Sequence, residues 1–223
     1  MAAALLGAPG YGNAATIGGE VKFVGAIPKR APVQATKDQD YCGQTLPNET
    51  HLIGPGGGLK NVVVYIESAS RDPALASKEN ILDNHGCRFV PRVMAMRWGE
   101  RLVVKNSDPK LHIVHSYAEK RTVFNLSLPF RGSRIDITQK IRGPGLLQVN
   151  CDTHGWMRGY IHVFGHPFFA MSGESGSFTI ADVSPGRYLL KAWHEDAGIL
   201  SADVVVPLEG EAKIRFEFGK KAF

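Results

Sequence analysis

The chain is predicted to be all-β, on three observations. Its ordered segments are short, they are rich in β-branched and aromatic residues, and each is bounded by Gly, Pro, Asn or Asp. The predicted strands begin with 20–24, which follows Gly18-Gly19, and 61–66, an apolar run after the loop that Pro55 and three glycines mark. Strands 93–96 and 101–106 follow, then 111–116 beyond the turn Asn106-Ser-Asp-Pro109, and 123–126, 135–138, 146–150 and 160–164. Three more, 177–180, 187–193 and 203–206, are spaced by turns such as Gly173-Glu-Ser-Gly176 and Ser184-Pro-Gly186. The last, 213–218, alternates Ile214, Phe216 and Phe218 with Lys213, Arg215 and Glu217, giving one buried and one wet face. Helix is scarce: one turn is predicted after Asp72-Pro73.

With 223 residues and 43% hydrophobic composition, the chain can bury one large core or two modest ones. Residues 80–165 carry all the candidate metal chemistry, whereas 16–79 and 166–223 read as plain strands and turns. A discontinuous arrangement follows, with the two outer portions forming one sandwich into which the middle portion is inserted or beside which it packs. The formal net charge is +5 and the pI about 9.1, but Lys and Arg are spread without a basic block. This argues against a nucleic-acid surface and for steering toward an acidic partner. No apolar run approaches the ~18 residues of a membrane span. Residues 1–15 carry a short apolar stretch, with Gly12 and Ala14 as small residues of a cleavage site. They read as the back half of a signal segment and predict export to the periplasm.

The chemistry concentrates in Cys151-Asp-Thr-His154-Gly-Trp-Met157, which closes the strand 146–150. A thiolate, an imidazole and a weak thioether are three of the four donors of a blue-copper electron-transfer centre, and a second histidine completes the set. Gly155 permits the tight turn that convergence requires. His112 and His115 are the candidates for the second histidine. Three apart on a strand, they point to opposite faces, so one must be chosen; His112 lies nearer the turn, within reach of a neighbouring loop. With Cys151 as a ligand, Cys42 and Cys87 remain as a candidate disulfide. It would imply an oxidising compartment, and closing a loop of about 45 residues contributes about 4 kcal/mol.

Asn106 to His115 and Asn150 to Val163 resemble the two ligand loops of the cupredoxin family, and Cys-x-x-His-x-x-Met-Arg-Gly at 151–159 is most similar to its short-loop, amicyanin-like branch. The resemblance covers roughly 80–165. It implies an eight-stranded Greek-key sandwich with one type 1 copper held by His112, Cys151 and His154 with axial Met157. Asn106 and Ile113 lie beside these ligands. Cupredoxins commonly place Asn, Ser or Thr where this chain has Ile113, so the side-chain tether between the ligand loops is missing, although the Ile113 N–H can still donate to the Cys151 sulfur. The flanks, with Glu20-Val-Lys-Phe-Val-Gly and Gly176 to Leu190, resemble a carboxypeptidase regulatory-like β-sandwich.

Four protein donors leave no open coordination position, so the expected role is electron transfer and not catalysis. Partners are then a redox protein such as a c-type cytochrome or a dehydrogenase. His154 is the expected electron exit through an exposed ring edge, with Trp156 in a docking patch. His162, between Ile161 and Val163, is predicted to face water; Glu195 and Asp196 beside His194 read as a solvated turn. No spacing supports a second metal site from His85, His166 and His194, and there is neither a nucleophile elbow nor a CxxCH haem motif. Copper buffering or delivery, and a structural or adhesive sandwich with a vestigial site, are the alternative functions.

Overall fold

The structure is a computed structural model that describes residues 15–67, 69 and 78–219. The cleavage-site residues Gly12 and Ala14 and the turn after Asp72 lie outside the described residues. In chain order the strands are β1 (Ala15–Phe23), β2 (Val33–Gln34), β3 (Thr45–Leu46), β4 (Val63–Ile66), β5 (Glu79–Asn84), β6 (Phe89–Val90), β7 (Val93–Arg97), β8 (Arg101–Asn106) and β9 (His112–Ala118). They continue with β10 (Arg121–Leu128), β11 (Arg134–Asp136), β12 (Gly145–Cys151), β13 (Arg158–Phe164), β14 (Phe169–Met171), β15 (Ser177–Val183), β16 (Gly186–His194), β17 (Gly198–Val206) and β18 (Glu211–Phe218). One helical turn, α1 (Gln39–Cys42), stands between β2 and β3, and 3-10 turns occupy Pro55–Gly57 and Thr138–Lys140. The protein is all-β.

Two pairs of sheets carry the fold. The five-stranded sheet β10-β9-β12-β13-β7 and the four-stranded sheet β11-β8-β5-β6 share one core, which includes Leu82, Leu102, Val104, Val114, Val149 and Ile161. The sheets β15-β1-β18 and β14-β4-β16-β17 share another, including Ile17, Val21, Val64, Leu190 and Phe218. The C-terminal strand pairs in parallel with the first, Phe23 opposite Phe218. Gly19 lies inside β1 rather than before it. A Cβ there would sit 2.0 Å from the carbonyl oxygen of Ile214, so the close approach of β18 requires glycine.

A third cluster joins the two cores: Val63 and Tyr65 of β4, Val93 and Ala95 of β7, Phe164 of β13 and Trp193 of β16. It accounts for the unbroken apolar run 62–66, because Val64 and Ile66 face one core while Val63 and Tyr65 face the junction. It also corrects two readings. His162 does not face water: Ile161 and Val163 fill one core, and the other face of β13 is covered by the second sandwich, so His162 is buried against Trp193 with ring centroids 4.4 Å apart. Glu195 is not solvated either. Its carboxylate accepts two 2.6 Å hydrogen bonds from the Arg92 guanidinium, across the same junction.

Strand β5 escaped the sequence reading because it looks polar. Its buried Asn80 and Asn84 lie against the neighbouring parallel strand, their amides donating to the carbonyls of Arg101 and Lys105, while the Asn84 side-chain oxygen has no partner among the described residues. The segment β2-α1-β3 was missed as well, being too short for periodicity. It forms a flap whose Ala35 and Leu46 pack with Cys87, Cys42 and Trp156.

Candidate metal centre

The first ligand loop hangs from Asn106, the buried last residue of β8. Its side-chain amide donates to the carbonyls of Lys110 and Leu128 at 2.9 Å each, and its side-chain oxygen accepts from the Asp108 N–H. The loop 107–111 is thereby pinned at both ends, and His112 enters β9 fully buried. Alternation along β9 turns His112 and Val114 inward and leaves His115 on the other face. There His115 stacks on Tyr117 and pairs with Asp152 at 3.1 Å and Thr122 at 2.9 Å.

The second loop begins where Cys151 ends β12, opposite Val114 of β9. Asp152 N–H donates to the Ile113 carbonyl at 2.9 Å, Met157 N–H to that of His154 at 2.8 Å, and Cys151 N–H to that of Met157 at 3.3 Å. The turn closes without left-handed backbone at Gly155, so the freedom expected of that glycine is not used. Cys151, His154 and Met157 are all buried. The Cys151 Sγ lies 3.7 Å from His112 Nδ1 and 3.8 Å from His154 Nδ1, and the two Nδ1 atoms are 3.1 Å apart. Nitrogen and sulfur donors sit about 2.0–2.3 Å from a bound ion, so separations of this size suit three ligands of one small metal ion. Among the described residues this is the one such group of His, Cys, Asp or Glu.

Both imidazoles turn the other nitrogen to a carboxylate. His112 Nε2 lies 3.1 Å from Asp108 Oδ2, and His154 Nε2 lies 2.9 Å from Asp38 Oδ2. An Nε2–H donated to carboxylate selects the tautomer that keeps the Nδ1 lone pair for a metal, the arrangement typical of metal-binding histidines. Asp108 is fully buried. It accepts further bonds from the N–H groups of Gly86 (2.7 Å) and Cys87 (2.9 Å) and from the Tyr41 hydroxyl (2.9 Å). Burial alone would raise its carboxyl, but these bonds, the one to His112 foremost, hold it at about 2. Burial would likewise raise the Cys151 thiol. The two imidazoles and the N–H groups of His154 and Ile113 overcome it and hold the thiol at about 6. Burial pushes His112 down, yet Asp108 and Cys151 together lift it to about 9. The two shifts, thiol down and imidazole up, favour a proton on the ring over one on the sulfur, and a bound metal would take that proton's place.

The exposed edge expected of His154 does not exist. The ring is sealed by Asp38 and by Trp156, whose ring lies 5.0 Å away. Trp156 is half-buried, donates its indole N–H to the Cys87 carbonyl at 3.1 Å and packs under the flap. The flap is tied down by a Cys42–Cys87 disulfide. Sequence reasoning found Asn106 and Ile113 but not Asp108, Asp38 or Tyr41. The one available signal was Asp108 in the turn before His112; Asp38 and Tyr41, some seventy residues distant, left none. His85, His166 and His194 do not meet: His85 is exposed, His166 lies against Phe164, and His194 lies against His51.

No family model matches the chain, and no curated protein matches it. Among solved structures it is similar to a copper-containing nitrite reductase from Thermus scotoductus, at 22% identity and TM-score 0.34 over 43% of this chain and 24% of that one. It is also similar to a reduced amicyanin variant, at 18% identity and TM-score 0.32 over 45% of this chain and 97% of that one. A purple cupredoxin from Nitrosopumilus maritimus matches at 20% identity and TM-score 0.32, over 38% of this chain and 97% of that one. The chain thus spans about a quarter of the nitrite reductase.

Proposed function

We propose that the protein binds one type 1 copper ion through His112, Cys151 and His154, with Met157 as a weak axial donor, and carries electrons by Cu(I)/Cu(II) cycling. The observation that carries this reading is the convergence of one buried cysteine sulfur and two Nδ1 atoms whose Nε2 partners are both carboxylates. Two imidazoles, one thiolate and a thioether form the donor set that favours copper in an electron-transfer geometry. The bound ion would supply a one-electron couple. Asp108 and Asp38 hold the rings, the Ile113 N–H donates to the sulfur, and the surrounding core keeps water out. Four protein donors leave no position for substrate, so we read the protein as no enzyme.

The disulfide suits an oxidising compartment, and we assign the protein to the periplasm, with a c-type cytochrome or dehydrogenase as partner. We also read the strands on either side of the copper unit as one discontinuous, carboxypeptidase regulatory-like sandwich that docks or anchors it, by fold-level analogy. The buried His154 ring favours a second reading, in which the same ligands store or deliver copper without passing electrons.

Loading with cupric ion should give the intense visible thiolate charge-transfer band. Cys151→Ser and His112→Ala should abolish it and His115→Ala should keep it; a fully loaded protein without the band ends the type 1 reading. Voltammetry separates the two roles, because a carrier shows a reversible couple and a store does not.

A further inference from the structure

Helix α1 does more than cover the centre. Asp38, Tyr41 and Cys42 stand at i, i+3 and i+4, positions that share one face of a helical turn, and each is joined to the surroundings of the metal ligands. Asp38 bonds His154 directly. Tyr41 bonds Asp108, which in turn bonds His112. Cys42 is bridged to Cys87, whose N–H also donates to Asp108. One turn therefore holds both imidazoles, and Lys110 adds an ion pair to Asp40 at 2.6 Å.

The local geometry of Asp38 points the same way. An aspartate at a helix N-cap ordinarily accepts from the N–H groups of the first turn. Asp38 stands at that position with a φ of 52°, and while its backbone carbonyl accepts from the N–H groups of Tyr41 and Cys42, its side chain makes no capping bond. Its carboxylate goes to His154 instead, and left-handed backbone is a conformation that aspartate and asparagine adopt more readily than other side chains. A helix end left without its side-chain cap, for the sake of a contact with a histidine 116 residues away, is local stability spent on holding that ring.

We infer that Asp38 is a positioning residue for His154, and that the Cys42–Cys87 bridge makes the flap of residues 33–46 a latch on metal exchange. While the latch is closed, His154 keeps Nδ1 toward Cys151, and metal enters or leaves only when the flap lifts. The inference rests on the copper reading above, and its first test needs no metal.

In metal-free protein carrying 15N-labelled histidine, the His154 ring should show a single tautomer with a slowly exchanging Nε2–H. Asp38→Ala should lose that signal, and Asp38→Asn, which keeps an acceptor oxygen and tolerates the same backbone, should retain it. In copper-loaded protein, release to a cuprous chelator should be about ten-fold faster or more in Asp38→Ala and in Cys42→Ser/Cys87→Ser, as loss of a ligand's outer partner implies. Asp38→Asn should release within about threefold of the wild type on the same scale. The reduction potential should rise in both Asp38 variants, because a negative charge that favours the cupric state is gone; a role confined to holding the flap would not move it in Asp38→Asn. An unchanged His154 tautomer in Asp38→Ala overturns the inference, as do release rates within twofold of wild type in both Asp38→Ala and the double cysteine variant. Where the cysteine variant fails to fold, Asp38→Ala decides alone. A wild type that binds no copper but shows the Asp38-dependent tautomer refutes the copper reading and leaves the positioning of His154 established.

Discussion

At the scale of single residues, buried polar groups divide into those with partners and those without. Asp108 accepts four hydrogen bonds, so its charge is sustained in the interior and fixes the ring of His112. His162 is the opposite case. Its Nε2 is buried without a partner, and burial alone pushes its pKa down from 6.5 to about 4. The folded state thus refuses a proton that the unfolded chain accepts below pH 6.5. The stability this neutral ring allows is present above pH 6.5 and is lost as pH falls toward 4, at up to about 1.4 kcal/mol per pH unit. His162→Leu should therefore shrink the loss of stability of the metal-free protein between pH 7 and pH 5 by about 2 kcal/mol, measured by urea unfolding at both values; an unaltered difference means that folding does not depress the pKa of His162. His194, also near 4, keeps its own share of the acid sensitivity. The alternation that pointed His162 outward was read correctly. What alternation could not show is that outward, on β13, means toward a second sandwich.

At the scale of elements, two loops from adjacent antiparallel strands bring the donors together. Because Cys151 pairs with Val114, the end of β12 and the start of β9 lie side by side, and the cysteine meets a histidine 39 residues earlier in the chain. This much was legible, since one ligand loop carries a spaced motif and His112 follows a turn. The flap was not, because two-residue strands and a four-residue helix have no periodicity to read. The other unforeseen link is the Arg92–Glu195 pair, which ties the loop before β7 to the turn after β16. Both groups are largely desolvated and the geometry is bidentate. Glu195→Ala should cost about 3 kcal/mol, since it strands a buried guanidinium, whereas the double replacement of Arg92 and Glu195 should cost less than the two single changes summed. Denaturant midpoints of the four proteins check this, and strict additivity would show the pair to be uncoupled.

At the scale of the whole molecule, two cores meet across one aromatic junction, where Trp193 touches Tyr160 and His162 and Phe164 touches Tyr65 and Phe169. The candidate metal site lies in one unit only, but stabilisation by mass action spreads as far as unfolding is cooperative. We expect calorimetry of the wild type to show a single transition that copper moves upward. Trp193→Ala, at a loss of about 3–5 kcal/mol, should split it into two, of which copper moves only the one belonging to residues 79–164. A Trp193→Ala protein that keeps one copper-sensitive transition would place the coupling outside the junction.

The sequence by itself determined the all-β class, through short strands with turn residues at their ends, and it marked His112, Cys151, His154 and Met157 as candidate donors by residue type, three of them in one spaced motif. Contacts between distant segments leave no such mark. That His154 is sealed and not exposed, that His162 and Glu195 are buried, and that Asp38, Tyr41 and Asp108 hold the imidazoles were decided by the tertiary structure alone. Each depends on which surface comes to lie over another, and a chain whose paired strands come from segments as far apart as Phe23 and Phe218 settles that only when its sheets pack.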